Sequence, residues 1–266
     1  MNKIKFLWLF LFFPWWLTAA EKVVSLSPAL TQLVMLLDGA GQLCGRSSAC
    51  YFPEVEHLPV VGDLGRPFPE AVLQSGAEVV ICDVSHPEAN WQILQRCGVR
   101  VELFSTDKIG KLPENLQRLG ELLGRERTAE QLAGDLVRKI ARLRIEPPAK
   151  KFRAVVLFST DPAISCGQNV FISDVLQLAG VENIAAGVGS GYFMLSAEFI
   201  YREDPDWVLT IGIPENAVEQ MLESGLLRML PAVKKRRIIT LDIGKWGRLT
   251  PEIIDAAEKL RHDLHD

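Results

Sequence analysis

The sequence predicts an α/β protein of two Rossmann-like lobes joined by a single long α-helix, with a ligand cleft between the lobes. Three observations support this fold class. Short valine-rich runs alternate with helical patterns in both halves of the chain, one long helical pattern separates the halves, and one segment plan occurs in each half. The chain has 266 residues, 48% of them hydrophobic, which is enough to give each lobe a core.

Four segments are predicted along the chain: a signal peptide at 1–20, an N-terminal lobe at 21–125, a connecting helix at 126–147 and a C-terminal lobe at 148–266. In the first segment Lys3 and Lys5 precede the apolar run at 6–17, and small residues follow at 18–20. A spanning helix needs about 20 apolar residues. The run is shorter and contains Pro14, so we expect cleavage and export to the periplasm, with a permanent anchor as the alternative.

The N-terminal lobe begins with a strand, a tight turn and a helix. The strand is predicted at 23–26, and Ser27 and Pro28 supply an N-cap and a proline for the first helical turn. Gly39 lies where that helix should end. Further strands are predicted at 78–82 and 99–104, and further helices at 87–97 and 108–123. This alternation is typical of a parallel sheet covered by helices.

One long amphipathic helix is predicted at 126–145, where apolar residues recur at spacings of three and four with charges between them. Pro147 and Pro148 end it. Beyond it the alternation resumes. Strands are predicted at 154–158, 207–211 and 237–241, and helices at 171–179, 216–222 and from 251 onwards.

Segments 69–81 and 197–209 share a plan, which indicates that the lobes are structural copies. In each, a glutamate (Glu70 or Glu198) opens a short helix, an acidic residue follows eight positions later, and an apolar strand comes next. The helix dipole alone can explain a glutamate in the first turn. Equivalent placement in both lobes favours a functional role for Glu70 and Glu198.

The motifs of several enzyme classes are missing from the sequence. It contains no Gly-x-Ser-x-Gly, no phosphate-binding Gly-x-x-x-x-Gly-Lys-Ser/Thr and no His-Glu-x-x-His. The glycine-dense segment 187–191 is interpreted as a mobile loop. Four scattered histidines predict no metal site built from protein side chains alone. A net charge of −4 does not favour nucleic-acid binding.

Five cysteines without a Cys-x-x-Cys spacing do not form a disulfide framework. Their odd number leaves at least one unpaired, and we expect mostly buried thiols that behave as small hydrophobic side chains. A metal–thiolate site is the alternative, in the form of a metal-cluster oxidoreductase that uses cysteines from both lobes.

In open α/β lobes, ligands bind beyond the carboxyl ends of the strands. The loops predicted there contain the candidate ligand-binding residues Tyr51, Asp83, His86, Tyr192, Phe193 and Trp246. Aromatic residues in such loops often serve packing instead. A site shared between facing lobes is therefore a firmer prediction than any single residue.

Three stretches resemble a known family: residues 23–31, residues 58–62 before the Glu70 helix, and residues 165–169 leading into 180–184. Together they resemble the helical-backbone class (class III) of periplasmic substrate-binding proteins, which serve ABC importers for cobalamin, haem and ferric siderophores. The resemblance covers residues 21–266, and within the class the chain most resembles the cobalamin-binding branch.

The resemblance implies a monomeric binding protein, without catalysis or an intrinsic cofactor, that captures a corrinoid and delivers it to an inner-membrane ABC permease dimer. It also implies that Glu70 and Glu198 pair with arginines on the two permease subunits. The chain departs from the family where well-known cobalamin binders carry aromatic residues. By hand alignment those positions hold Ala49, Leu64, Asp83, Ile164 and Tyr192.

Two other metal-containing ligands of the same class are alternatives. Haem would use Tyr51 or His86 as an axial ligand to iron, since phenolate and imidazole suit that position. A ferric siderophore would use basic residues in or beside the candidate loops, namely Arg46, Arg66 and Arg248.

Overall fold

The computed structural model describes residues 21–83, 89–146, 148, 150–223 and 226–265. The predicted signal peptide and His86 lie outside these residues. The strands of the N-terminal lobe are β1 (Val23–Ser25), β2 (Leu43–Ser47), β3 (Val60–Asp63), β4 (Arg66–Pro67), β5 (Val79–Cys82) and β6 (Arg100–Leu103). Its helices are α1 (Pro28–Leu36), α2 (Pro69–Gln74), α3 (Ala89–Arg96) and α4 (Lys111–Leu123).

Helix α5 (Glu126–Ile145) leads to the C-terminal lobe. The strands of that lobe are β7 (Phe152–Leu157), β8 (Ser159–Thr160), β9 (Ala163–Cys166), β10 (Val181–Asn183), β11 (Tyr192–Met194), β12 (Trp207–Ile211) and β13 (Ile238–Leu241). Its helices are α6 (Phe171–Leu178), α7 (Ala197–Glu203), α8 (Glu215–Glu223), α9 (Pro231–Lys234), α10 (Ile243–Trp246) and α11 (Glu252–His265).

The two main sheets share a plan of four parallel strands, which confirms the predicted fold class of two α/β lobes joined by a long helix. The N-terminal sheet has the order β4-β3-β2-β1-β5-β6, in which only β4 is antiparallel to its neighbour, and the C-terminal sheet is parallel with the order β10-β7-β12-β13. The strands β2-β1-β5-β6 correspond to β10-β7-β12-β13, so that β1 lies between β2 and β5 as β7 lies between β10 and β12. Every residue of β1 and β5 is buried, as expected for strands covered by helices on both faces.

The acidic residue of the repeated segment has the same structural role in both lobes. Glu78 accepts a hydrogen bond from the backbone N–H of Lys22 at 3.0 Å, and Asp206 accepts one from the N–H of Arg153 at 2.9 Å. In both lobes the backbone N–H of the acidic residue donates in return to the carbonyl of the same partner. Glu78 therefore joins the start of β5 to the start of β1, and Asp206 joins the start of β12 to the start of β7, which explains why both segments carry an acid there.

Helix α5 joins the cores of the two lobes. Its buried face consists of Ala129, Ala133, Leu136, Ile140 and Leu143, and belongs to one hydrophobic cluster with side chains of α4 and α11. On its polar face Arg142 forms an ion pair with Glu258 of α11 at 2.5 Å. Packing on both sides predicts that α5 allows only a small closing motion between the lobes.

Two side-chain contacts cross from lobe to lobe on the side of α1. Gln32 on α1 donates a hydrogen bond from Nε2 to Oε1 of Glu252 on α11 at 3.1 Å. The guanidinium of Arg248 lies over the ring of Phe52, 5.0 Å from its centroid. The first contact links α1 to α11, and the second links the loop before β3 to the segment between α10 and α11.

Candidate functional site

A cavity of about 770 Å³ lies between the lobes and receives residues from both. The N-terminal lobe contributes Asp83 after β5 and residues 103–107 at the end of β6. The C-terminal lobe contributes residues 169–171 at the start of α6 and 190–192 at the start of β11. The volume is within the range of small-molecule sites, and the position beyond strand ends is the one expected for α/β lobes.

Asp83 forms part of the floor of this cavity and is held by hydroxyl groups of two neighbouring segments. Its carboxyl group has hydrogen bonds with the side chains of Ser27 and Thr106. Ser27 is also the N-cap of α1, where its Oγ accepts from the N–H of Leu30 at 3.3 Å. Burial raises the pKa of the Asp83 carboxyl above its usual range, because the charged form is partly withdrawn from water.

A buried network of hydroxyls and one thiol supports Ser27 from below. Thr31 Oγ1 lies 2.9 Å from the Ser27 carbonyl oxygen and 2.8 Å from Ser25 Oγ, and its single proton can be donated to either acceptor. The thiol of Cys50 lies 3.3 Å from Thr31 Oγ1 and 3.2 Å from Ser47 Oγ. The floor beneath Asp83 is thus rigid and its polar groups are paired.

The wall contributed by the C-terminal lobe is an antiparallel sheet of β8, β9 and β11. Tyr192 pairs with Cys166 and Met194 with Ile164, so these residues share one face of the sheet. Tyr192 is 57% exposed and Met194 is 72% exposed. The ring of Tyr192 contacts that of Phe158 edge to face, with centroids 4.9 Å apart. Partial burial of the phenol raises the pKa of Tyr192 above its usual value.

Three other predicted ligand-binding residues, Phe193, Trp246 and Tyr51, are not part of the described cavity lining. Phe193 points from the opposite face of β11 and packs against the core of the C-terminal lobe. Trp246 is only 3% exposed and packs in the hydrophobic core, as large aromatic side chains commonly do, so its position does not support ligand contact. Tyr51 is 85% exposed and is not part of the described cavity lining. His86 lies outside the described residues, and its assignment stays a prediction.

The glycine-dense segment is held against β9, in contrast to the mobile loop expected from the sequence. Gly167 N–H donates to the Gly191 carbonyl at 3.0 Å, Gln168 N–H to the Gly189 carbonyl at 2.8 Å, and Gly191 N–H to the Gln168 carbonyl at 2.8 Å. A Cβ on Gly167 would overlap the carbonyl group of Gly189. The glycines thus permit close backbone approach, which positions the adjacent Tyr192.

Glu70 and Glu198 occupy equivalent, exposed positions. Each is the second residue of a short helix that closely follows an antiparallel strand: α2 follows β4, and α7 follows β11. Neither glutamate has a hydrogen bond or ion pair with another described residue. Both carboxylates are thus available to a partner.

The cavity has an acidic character. Its charged lining residues in the described chain are Asp83 and Asp107, with no lysine or arginine among them. Arg46 instead donates to the carbonyls of Ser47, Cys50 and Glu56, and Arg248 to that of Gly244. Arg66 is exposed on β4. The described lining therefore contains no cation to pair with an anionic ligand.

The cysteines are separate thiols in this fold. Cys50, Cys82 and Cys166 are buried, Cys44 is partly buried and Cys97 is exposed. Burial raises the pKa of the Cys166 thiol to about 12, so it is protonated and unreactive at neutral pH. Within the described ranges, no group of three or more histidine, cysteine or acidic side chains is arranged to hold a metal ion.

These features define a two-lobed substrate-binding protein with its site between the lobes. The chain belongs to the periplasmic binding protein family, whose model matches residues 23–243. This family consists of binding and transport proteins, so the chain is not an enzyme, in agreement with the sequence prediction. Among the described helices, none combines the length and apolar character that crossing a bilayer requires.

Individual relatives agree with this assignment. The vitamin B12-binding protein of Salmonella choleraesuis is 26% identical over 258 residues, which cover 96% of this chain and 94% of that protein. The periplasmic haem-binding protein of Vibrio cholerae superposes with a TM-score of 0.81 at 22% identity, covering 92% and 99% of the two chains. The periplasmic vitamin B12-binding protein of the same organism gives 0.79 at 21%, covering 92% and 96%. At these identities the two structures show the common fold alone.

Met194 shares the exposed face of β11 with Tyr192, and the sequence analysis did not single it out. The signal was present, because residues two apart in a strand share a face. Tyr192 and Met194 therefore belong together, whereas Phe193 belongs to the opposite face. Without a predicted strand at 192–194, this alternation could not be applied.

Proposed function

We propose that this protein captures a corrinoid, cobalamin or a related compound, in the periplasm and delivers it to an inner-membrane ABC permease. The observation that supports the corrinoid is the chemistry of the described cavity lining. It combines carboxyl, hydroxyl and amide groups with the ring of Tyr192 and contains no basic side chain. Corrinoids carry neutral amide side chains, which can donate hydrogen bonds to such groups.

The same lining disfavours the two alternative ligands. Haem carries two propionates, and many ferric siderophores are anions. Burying an anion near Asp83 and Asp107 without a cation is unfavourable, because like charges repel strongly where water is excluded. The exposed apolar face of Tyr192 and Met194 suits any broad macrocycle and does not discriminate.

Ligand titration tests this proposal. The mature chain from Glu21, purified without ligand, is titrated with cyanocobalamin, cobinamide, haemin and a ferric chelate by calorimetry. The fluorescence of Trp91, Trp207 and Trp246 provides a second readout. A corrinoid is expected to bind stoichiometrically and at least about tenfold more tightly than haemin, equivalent to about 1.4 kcal/mol. Tighter binding of haemin, or no corrinoid binding, would overturn the assignment.

Delivery to a permease is proposed to use Glu70 and Glu198. Their equivalent exposed positions on two similar lobes suit a partner with two-fold symmetry, and carboxylates without a partner of their own can accept bidentate hydrogen bonds from arginine. The expected effect of replacing both with Ala is loss of ligand-stimulated ATP hydrolysis by the reconstituted permease, with unchanged ligand affinity. Glu130→Ala with Glu219→Ala removes two other exposed glutamates as a control. Full stimulation by the Glu70 and Glu198 double variant would refute the docking role.

A further inference from the structure

Asp83 is the most deeply placed charged group of the cavity lining, and its position follows directly from the sheet. It is the first residue after β5, which lies next to the central strand β1. The side chain therefore projects where the carboxyl ends of the central strands open towards the opposite lobe. Tyr192 of the C-terminal lobe lines the same cavity.

The hydrogen-bonding capacity of Asp83 is only partly used. A carboxylate can accept about four hydrogen bonds. Three are accounted for: the hydroxyls of Ser27 and Thr106 and the backbone N–H of Asp83 itself. All three donors are uncharged, and Asp83 has no ion pair with a described residue. The described residues supply no fourth donor to this carboxyl group, and Asp83 is part of the cavity lining.

The surroundings of Asp83 define what can take that position. A ligand N–H would satisfy the acceptor and stabilise the carboxylate, whose charged form burial disfavours. A ligand carboxylate would bring a second negative charge against it. Asp107, the other charged group of the lining, is hydrogen-bonded to Ser105 and adds to the negative potential.

We propose that the Asp83 carboxylate is the specificity-determining acceptor of this site: it takes an N–H hydrogen bond from an amide on the rim of the bound corrinoid and rejects ligands that present a carboxylate there. This inference rests on the proposed corrinoid function and extends it to a named atom group. Selectivity thus comes from charge as well as from shape.

The test uses two ligands that differ in charge and share a macrocycle. One is cobinamide, and the other is a corrinoid whose peripheral amides have been hydrolysed to carboxylates. Both are titrated against the wild-type chain and Asp83→Asn, which has a similar shape but no charge. Asp135→Asn makes the same change in net charge on the exposed face of α5 as a control. Titration at pH 8 keeps histidine side chains neutral, so that the comparison reports Asp83.

The wild-type chain is expected to prefer cobinamide, and Asp83→Asn to reduce that preference by about tenfold or more, since a hydrogen bond to a charged group is worth this much. Asp135→Asn is expected to leave it unchanged. A preference retained by Asp83→Asn overturns the inference while leaving the proposed function intact. Absence of corrinoid binding by the wild-type chain overturns the proposed function itself. If Asp83→Asn does not fold, Asp83→Ser is compared in the same way, and retained preference again refutes the role.

Discussion

Replacement of Gly167 with Ala tests whether the glycine contact between β9 and the segment before β11 holds the ligand-facing wall in place. A Cβ at this position would lie 2.8 Å from the carbonyl carbon of Gly189 and 2.9 Å from Cε1 of Phe193. Carbon atoms pack best at about 3.5–4.0 Å, and the carbonyl oxygen of Gly189 is closer still, so the Gly189 peptide must move away by at least about 0.7 Å. The Phe193 ring also lies against the new Cβ, so the clash cannot be avoided by movement in that direction.

That displacement acts on three backbone hydrogen bonds of 2.8–3.0 Å between Gly167, Gln168 and the segment 189–191. A shift of about 0.7 Å stretches them to the limit of hydrogen bonding. Each bond contributes about 0.5–1.5 kcal/mol, so their combined loss costs about 1.5–4.5 kcal/mol. For a chain of this size, at about 2–4 °C for each kcal/mol, we expect the Tm to fall by roughly 3–18 °C. Displacement of Tyr192 should weaken ligand binding by about tenfold, equivalent to about 1.4 kcal/mol.

Gly187→Ala is the matched control, because no atom lies within 4 Å of a Cβ built on Gly187 and its backbone has no positive φ. It changes the same segment by the same methyl group. Thermal unfolding followed by circular dichroism, together with calorimetric titration, compares both variants with the parent chain. An unchanged Tm and affinity in Gly167→Ala, or equal losses in the two variants, would refute the reasoning.

Three further predictions concern stability and reactivity. Asp83→Asn should unfold at a higher temperature than the parent at pH 7, because the raised pKa of Asp83 makes its charged form unfavourable in the fold. The difference should vanish below about pH 3, where the carboxyl is protonated in both folded and unfolded chains, and an equal difference at both pH values would contradict this. With a thiol reagent under native conditions, the exposed Cys97 should react fast and the buried Cys166 should be protected. After unfolding, all five cysteines should react. Rapid labelling of Cys166 in the folded chain would be evidence against its burial. The contact between the Arg248 guanidinium and the Phe52 ring is tested by a double-mutant cycle on Phe52→Ala and Arg248→Ala, followed by urea unfolding. The expected coupling energy is about 0.5–1 kcal/mol. A coupling energy near zero would show that this contact between the lobes is not stabilising.

The architecture could be predicted from the sequence because its signals are local and periodic. The 126–145 pattern corresponds to α5, since a long amphipathic helix shows its period many times over. Ser27 and Pro28 start α1 as expected, because capping depends on neighbouring residues. The antiparallel sheet of β8, β9 and β11 was not predicted. Its strands have two to four residues, and the partners β9 and β11 are far apart in the sequence.

In the candidate site, too, features set by neighbouring residues could be predicted from the sequence, whereas features set by distant contacts could not. Sequence reasoning identified loops near the strand ends, and Asp83 and Tyr192 do line the cavity. It could not determine the direction of each side chain. Phe193 and Trp246 therefore looked equivalent to Tyr192 as candidates, although both pack into the C-terminal lobe. A side chain in a short irregular segment takes its direction from contacts with distant elements, and the sequence records these contacts only through the final fold.

The duplicated plan separates two kinds of acidic residue that look alike in the sequence. Glu78 and Asp206 accept hydrogen bonds from backbone N–H groups within their own lobes, so the fold itself accounts for them. Glu70 and Glu198 are exposed, and no described residue pairs with either. The interaction with the helix dipole, about 0.3–1 kcal/mol for each glutamate, explains an acid in either first turn but does not require one at equivalent positions of both lobes. This equivalence is the basis of the proposal that Glu70 and Glu198 bind a partner with two-fold symmetry.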